Sequence, residues 1–238
     1  MGKLTRQDER KTSTTNDVDA FLQKVAATPP PTLHTATDAR LIFAMDATAS
    51  REHTWLQAKD IQAHMFAKAG SEGRLNIQLA YYRGFNEFYA SNWFRTSREL
   101  LDCMSKVHCI GGMTQIEKIL KHAIRQTKLQ PVKALVFIGD SMEENVDTLS
   151  QIAGELGILG VKCFIFQEGY DNTTHRAFKQ IARLTNGAHC QFDAESADQL
   201  LKLLSVVAAY TTGRTQELKE ISRNGGGQVK RLISQLVR

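Results

Sequence analysis

Short unbroken apolar runs alternate along this chain with stretches in which apolar residues recur every three or four positions. Residues 41–45 form the first run, which ends in Asp46, and residues 133–139 form a later one, which ends in Asp140. Runs of this length predict strands buried on both faces. Residues 75–82 and 87–94, separated by Gly84-Phe85-Asn86, predict a hairpin with an edge strand. Two more strands are predicted at 161–167 and 189–192. Helical spacing predicts helices at 55–68, 97–107, 115–128, 145–157, 174–186 and 196–211. Strands alternating with helices imply right-handed crossovers and a mainly parallel α/β sheet.

The two ends of the chain depart from this rhythm. Residues 1–15 are polar, and Asn16-Asp17 offers a cap for a short helix with Val18, Phe21, Leu22 and Val25 on one face. Pro29-Pro30-Pro31 then forces an extended linker. After Gly213 a polar helix is predicted at 215–222 and a flexible break at Asn224-Gly225-Gly226-Gly227. The last segment, 228–238, places Val229, Leu232, Ile233 and Leu236 on one face. It is short for an isolated helix in water, so docking on its own domain is favoured over a partner or membrane handle. The organisation is therefore an N-terminal arm over 1–37, a domain over 38–213 and a basic tail over 214–238.

The candidate chemistry gathers where the strands end. Asp46 is followed at alternate positions by Thr48 and Ser50. Gly111-Gly112-Met113-Thr114 is a glycine-rich turn just before the helix predicted from Gln115, and Asp140 ends the second central run. In a parallel sheet these places converge at the carboxyl edge, where open α/β folds bind ligands. Two carboxylates and three hydroxyls form a hard oxygen set, suited to Mg²⁺ or Mn²⁺ rather than zinc.

This set resembles the metal-ion-dependent adhesion site (MIDAS) of von Willebrand factor type A domains, whose pattern is Asp-x-Ser-x-Ser, a distant Thr and a distant Asp. The match covers about residues 38 to 213. Thr48 stands where Ser is usual, and the hydroxyl is retained. The resemblance implies a three-layer, Rossmann-like doubly wound sheet, mainly parallel, with one antiparallel edge strand. It implies metal ligation by Asp46, Thr48, Ser50, Thr114 and Asp140, and no catalytic residue. Arg51 and Glu52, directly after Ser50, are expected to put charge at a partner-binding rim with Met113 and Ser141. Intracellular bacterial members act as assembly or regulatory modules beside ATPases or chaperones, so a protein partner of that kind is expected.

Composition narrows the alternatives. Nearly all of the net charge of +5 sits in the tail: residues 214–238 carry six Lys or Arg against two Asp or Glu, residues 1–32 five against four, and residues 33–213 carry 19 of each sign. A nucleic-acid function on the domain is disfavoured, because phosphate binding needs clustered cations. No apolar run reaches the roughly 20 residues that span a bilayer, and the charged N-terminus lacks the apolar centre of a secretory signal. The expected location is the cytoplasm. Cys103, Cys109, Cys163 and Cys190 lack zinc-type spacing. His64, His108, His122, His175 and His189 have no partner in sequence that suggests chemistry, and read as surface or packing residues. The chief rival is a Mg²⁺-dependent phosphatase with an aspartate nucleophile, but such enzymes carry a second Asp where this chain has Thr48. Losing that general acid removes a contribution of about 10²–10⁴-fold. A dinucleotide site lacks its glycine cluster after the first strand, and no Gly-x-Ser-x-Gly elbow surrounds Ser141.

Overall fold

The structure, a computed structural model, describes residues 38–52, 75–192 and 197–213, together with Glu220, Val229 and Leu232. All of these fall in the unit Asp38–Arg238. The expected N-terminal arm, its helix and proline linker, the helix at 55–68 and most of the tail lie outside the described residues.

Six strands are described: β1 (Ala39–Asp46), β2 (Leu75–Arg83), β3 (Glu87–Phe94), β4 (Ala134–Gly139), β5 (Lys162–Glu168) and β6 (Ala188–Phe192). They form one sheet in the order β3-β2-β1-β4-β5-β6. Every neighbouring pair is parallel except β2 and β3, which form the antiparallel hairpin at one edge. This is the expected mainly parallel sheet with one antiparallel edge strand. All eight residues of β1 are buried, which is why its stretch 41–45 is an unbroken apolar run rather than an alternation.

Five described helices flank the sheet: α1 (Ser97–Ser105), α2 (Ile116–Leu129), α3 (Val146–Ile158), α4 (Asn172–Leu184) and α5 (Ala197–Thr211). At α1, α3 and α4 a side chain at the start satisfies free N–H groups. Thr96 and Glu99 form a reciprocal capping box on α1. Asn145 accepts from the N–H groups of Asp147 and Thr148 on α3. Asp171 accepts from Thr174 N–H at 2.6 Å on α4, so that helix begins two residues earlier than its apolar spacing indicates. It also ends two residues earlier, just before Asn186 takes a left-handed φ of 50°.

The two sheet faces bury separate layers. Ile42 and Ala44 of β1 face α2, α3 and α4, through Ile119, Leu120, Leu149, Ala153, Phe178 and Ile181. Leu41, Phe43 and Met45 face the other way, onto Leu100 and Met104 of α1 and Leu204 and Val207 of α5. Val229 and Leu232 join this second layer at 3% and 0% exposure. Both are helical, one turn apart, and belong to the apolar face expected to dock on its own domain.

Truncating a side chain so enclosed leaves a cavity. Leu232→Ala is expected to lower the unfolding free energy by about 2–5 kcal/mol, measured by urea denaturation in EDTA. An unchanged midpoint and slope would show that this part of the tail does not dock.

Candidate metal centre

The strand order reverses at β1, which has β2 on one side and β4 on the other. Such a switch point opens a crevice at the carboxyl ends of the strands. Asp46 is the last residue of β1 and Asp140 directly follows β4, so both carboxylates stand at its mouth.

Asp46 is fully buried. One carboxylate oxygen accepts from the Thr48 N–H at 2.7 Å, and the other accepts from the Tyr82 hydroxyl at 3.0 Å. Tyr82 stands directly beside Asp46 in the parallel register of β2 and β1. The Thr48 and Ser50 hydroxyls lie 3.3 Å apart. Burial raises the Asp46 pKa; the hydrogen bonds from Thr48 and Tyr82 lower it, and the nearby Asp140 charge raises it further. Burial and the Asp46 charge push the Tyr82 phenol well above its usual pKa, so it remains a donor.

Thr114 is held by a different set of residues. Its hydroxyl donates to Glu144 at 2.6 Å and accepts from the Glu143 N–H at 2.9 Å, while its own N–H donates to the Glu143 carboxylate at 3.1 Å. Glu144 also accepts from the first N–H groups of α2, at Ile116 and Glu117. It therefore caps α2 from the loop after β4 and ties the Thr114 turn to the Asp140 loop. Asp140 itself is half-buried and accepts from the Ser141 hydroxyl at 3.3 Å.

Backbone bonds lock the loops together. Ala47 donates to Tyr82 O and accepts from Ile110, Ile110 O accepts from Gly84, and Gly84 O accepts from Met113. A Cβ on Gly112 would run into the backbone of Gly84, so only glycine permits this approach.

The expected ligands thus fall into three anchored groups. Asp46, Thr48 and Ser50 are joined by direct contacts, Asp140 lies within electrostatic reach of Asp46, and Thr114 is linked through Glu144, whose charge acts on Tyr82. Among the described residues no cluster of three or more His, Cys, Asp and Glu side chains is placed to hold an ion. Any ion at this edge would depend on hydroxyl ligands as well. The donor set fits a hard divalent cation: a buried carboxylate faces a second one, with neutral hydroxyls at hand.

The rim differs from expectation at one residue. Glu52 and Met113 are exposed and Ser141 is half-buried, but Arg51 is completely buried and ion-paired with Glu168 at the end of β5. It is not available to a partner, because its side chain turns inward to Glu168. Tyr82, Glu143, Glu144 and Glu168 were missed by the sequence reading. Only Tyr82 carried a signal, as a polar tip at the carboxyl end of a buried strand. His122 and His189 are held near a pKa of about 4 by burial and are packing residues apart from the crevice, bonded to Gln78 and Gln167.

No family model matches the sequence, and no curated protein matches it. Solved structures do. The VWA domain of SpRpn10 aligns with a TM-score of 0.55 and 14% identity, over 71% of this chain and 94% of that one. An aerotolerance-related membrane protein from Bacteroides fragilis NCTC 9343 aligns with a TM-score of 0.57 and 12% identity, over 74% and 100%. Proximal thread matrix protein 1 from the mussel byssus, with a zinc-occupied MIDAS motif, aligns with a TM-score of 0.55 and 17% identity, over 72% and 48%. This chain has the von Willebrand factor type A fold. At these identities the type A likeness carries the fold and assigns no residue a role.

The Tyr82 hydroxyl supports Asp46 from the neighbouring strand. Tyr82→Phe removes only the hydroxyl and leaves a buried carboxylate oxygen without its donor. It is expected to cost about 1.5–3 kcal/mol in chemical denaturation without metal. No loss would show that Asp46 does not depend on this bond.

Proposed function

We propose that this type A domain is a divalent-metal-dependent protein-interaction module that recognises an acidic residue of a protein partner. The observation that carries it is the meeting of Asp46, Thr48 and Ser50 beside Asp140 at the sheet's switch point. Asp46, Thr48, Ser50, Thr114 and Asp140 would hold the ion, directly or through water. A bound Mg²⁺ or Mn²⁺ supplies strong local attraction for a carboxylate at a partly desolvated edge.

The chain's own residues prepare that edge. Thr48 N–H and Tyr82 fix both oxygens of Asp46. Glu143 and Glu144 fix the Thr114 hydroxyl while leaving one of its lone pairs unengaged by them. Around them Phe85, Ile110 and Met113 are 79%, 40% and 52% exposed. These apolar side chains give a partner a dry contact beside the charged one, and Glu52 and Ser141 add polar contacts to the rim. The arrangement supports an assembly or regulatory role over turnover. Thr48 stands where a phosphatase of the aspartate-nucleophile type needs its second carboxylate.

Asp46→Ala is expected to abolish the rise in melting temperature that Mg²⁺ or Mn²⁺ produces, while the metal-free domain stays folded on its apolar layers. Equal metal-induced shifts in wild type and Asp46→Ala would refute the centre. With Mg²⁺, the protein is expected to hydrolyse neither aryl phosphates nor nucleoside triphosphates above the Asp46→Asn background. Turnover lost in that variant would establish the phosphatase reading instead.

A further inference from the structure

Gly84 joins the parts of an exposed apolar surface beside the crevice. Its N–H donates to Ile110 O, its carbonyl accepts from Met113 N–H, and Phe85 follows it in the hairpin turn. Phe85, Ile110 and Met113, all exposed, therefore stand on backbone segments bonded to one residue. Ile110 N–H also donates to Ala47 O, which ties the surface to the loop of Thr48 and Ser50. Loops already held in place cost little further ordering when a partner covers them.

The charges around this turn do not all cancel. Arg83 is paired with Glu87 at 2.7 Å, and Lys121 is paired with Glu117. Lys118 of α2 has neutral acceptors instead: the Asn86 carbonyl at 3.1 Å, the Asn86 amide oxygen at 2.5 Å and the Gln115 amide oxygen at 2.7 Å. Among the described residues no carboxylate pairs with it. The fold thus holds a half-buried ammonium against the residue after Phe85 and leaves its charge unanswered. A carboxylate that displaces one amide oxygen gains a charge-assisted bond.

We propose that this surface receives a peptide segment of a protein partner in which a large apolar residue stands close to an acidic one. The apolar side chain covers Phe85, Ile110 and Met113, and the carboxylate meets Lys118. This contact is additional to the one at the metal centre; it rests on the interaction-module reading and not on the ion. One unpaired cation suits one carboxylate, whereas an anionic membrane or a nucleic-acid backbone calls for clustered cations.

The test uses the full chain. Random peptides displayed on phage are selected on wild type, once in Mg²⁺ and once in EDTA, and the enriched sequences are synthesised. They are expected to carry Asp or Glu close to a large apolar residue. Phe85→Ser is expected to weaken them about tenfold, and Met113→Ser, on a separate loop, provides a second apolar variant. Lys118→Gln is expected to weaken them about tenfold as well, and to have no effect on one form in which a single acidic residue is replaced by its amide. Melting temperatures identify any variant damaged in folding. No enrichment, enriched peptides without an acidic residue, or equal losses on Lys118→Gln for acidic and amide forms would overturn the proposal. So would binding confined to phosphatidylserine vesicles, or a dimer in sedimentation that Phe85→Ser dissolves. Dependence on both Mg²⁺ and Lys118 upholds both readings. The same Lys118 dependence in EDTA as in Mg²⁺ upholds the surface and tells against the metal-dependent reading. Peptides that need Mg²⁺ but ignore Lys118 and Phe85 uphold the metal centre and overturn the surface.

Discussion

A carboxylate sealed from water at the end of a central strand must be answered by donors or by positive charge, and Asp46 makes that demand of the whole carboxyl edge. The answers come from several parts of the chain. Thr48 supplies an N–H from the same loop and Tyr82 a hydroxyl from the neighbouring strand, while the buried Arg51 beyond them is ion-paired with Glu168. The sheet order makes this convergence possible, since β1 is flanked by β2 and β4 and its carboxyl end lies where the chain's winding reverses. The loops from these strands all reach the same small volume.

Much of the architecture was legible because local patterns dictate it. The buried runs at β1 and β4 have no polar interruption, and Gly84 to Asn86 breaks the hairpin where the register turns back. Helix boundaries were less legible. The apolar spacing of α4 drifts past Asn186, whereas the start is set by the Asp171 carboxylate and the end by a left-handed backbone. Capping is a contest over a few hydrogen bonds, and hydrophobic periodicity does not record it.

The site was legible in part. Asp46, Thr48 and Ser50 are close in sequence, so their spacing alone suggests shared purpose. Glu144 escaped notice because its partners, Thr114 and the start of α2, lie about 30 residues earlier and meet it only through the fold. Arg51 was misjudged for a related reason. A charged pair after a hydroxyl reads as solvated surface, and only Glu168, at the end of a strand two places along the sheet, explains why the arginine turns inward. Long-range charge pairing leaves almost no trace in a single sequence.

The contact between Gly112 and Gly84 has a mechanical consequence. Two backbones with no side chain between them cannot slide past each other freely, and the Gly84 carbonyl is also gripped by Met113 N–H and the Gln115 amide. The hairpin turn that exposes Phe85 and the turn that carries Thr114 are therefore joined backbone to backbone, with no side chain between them to repack.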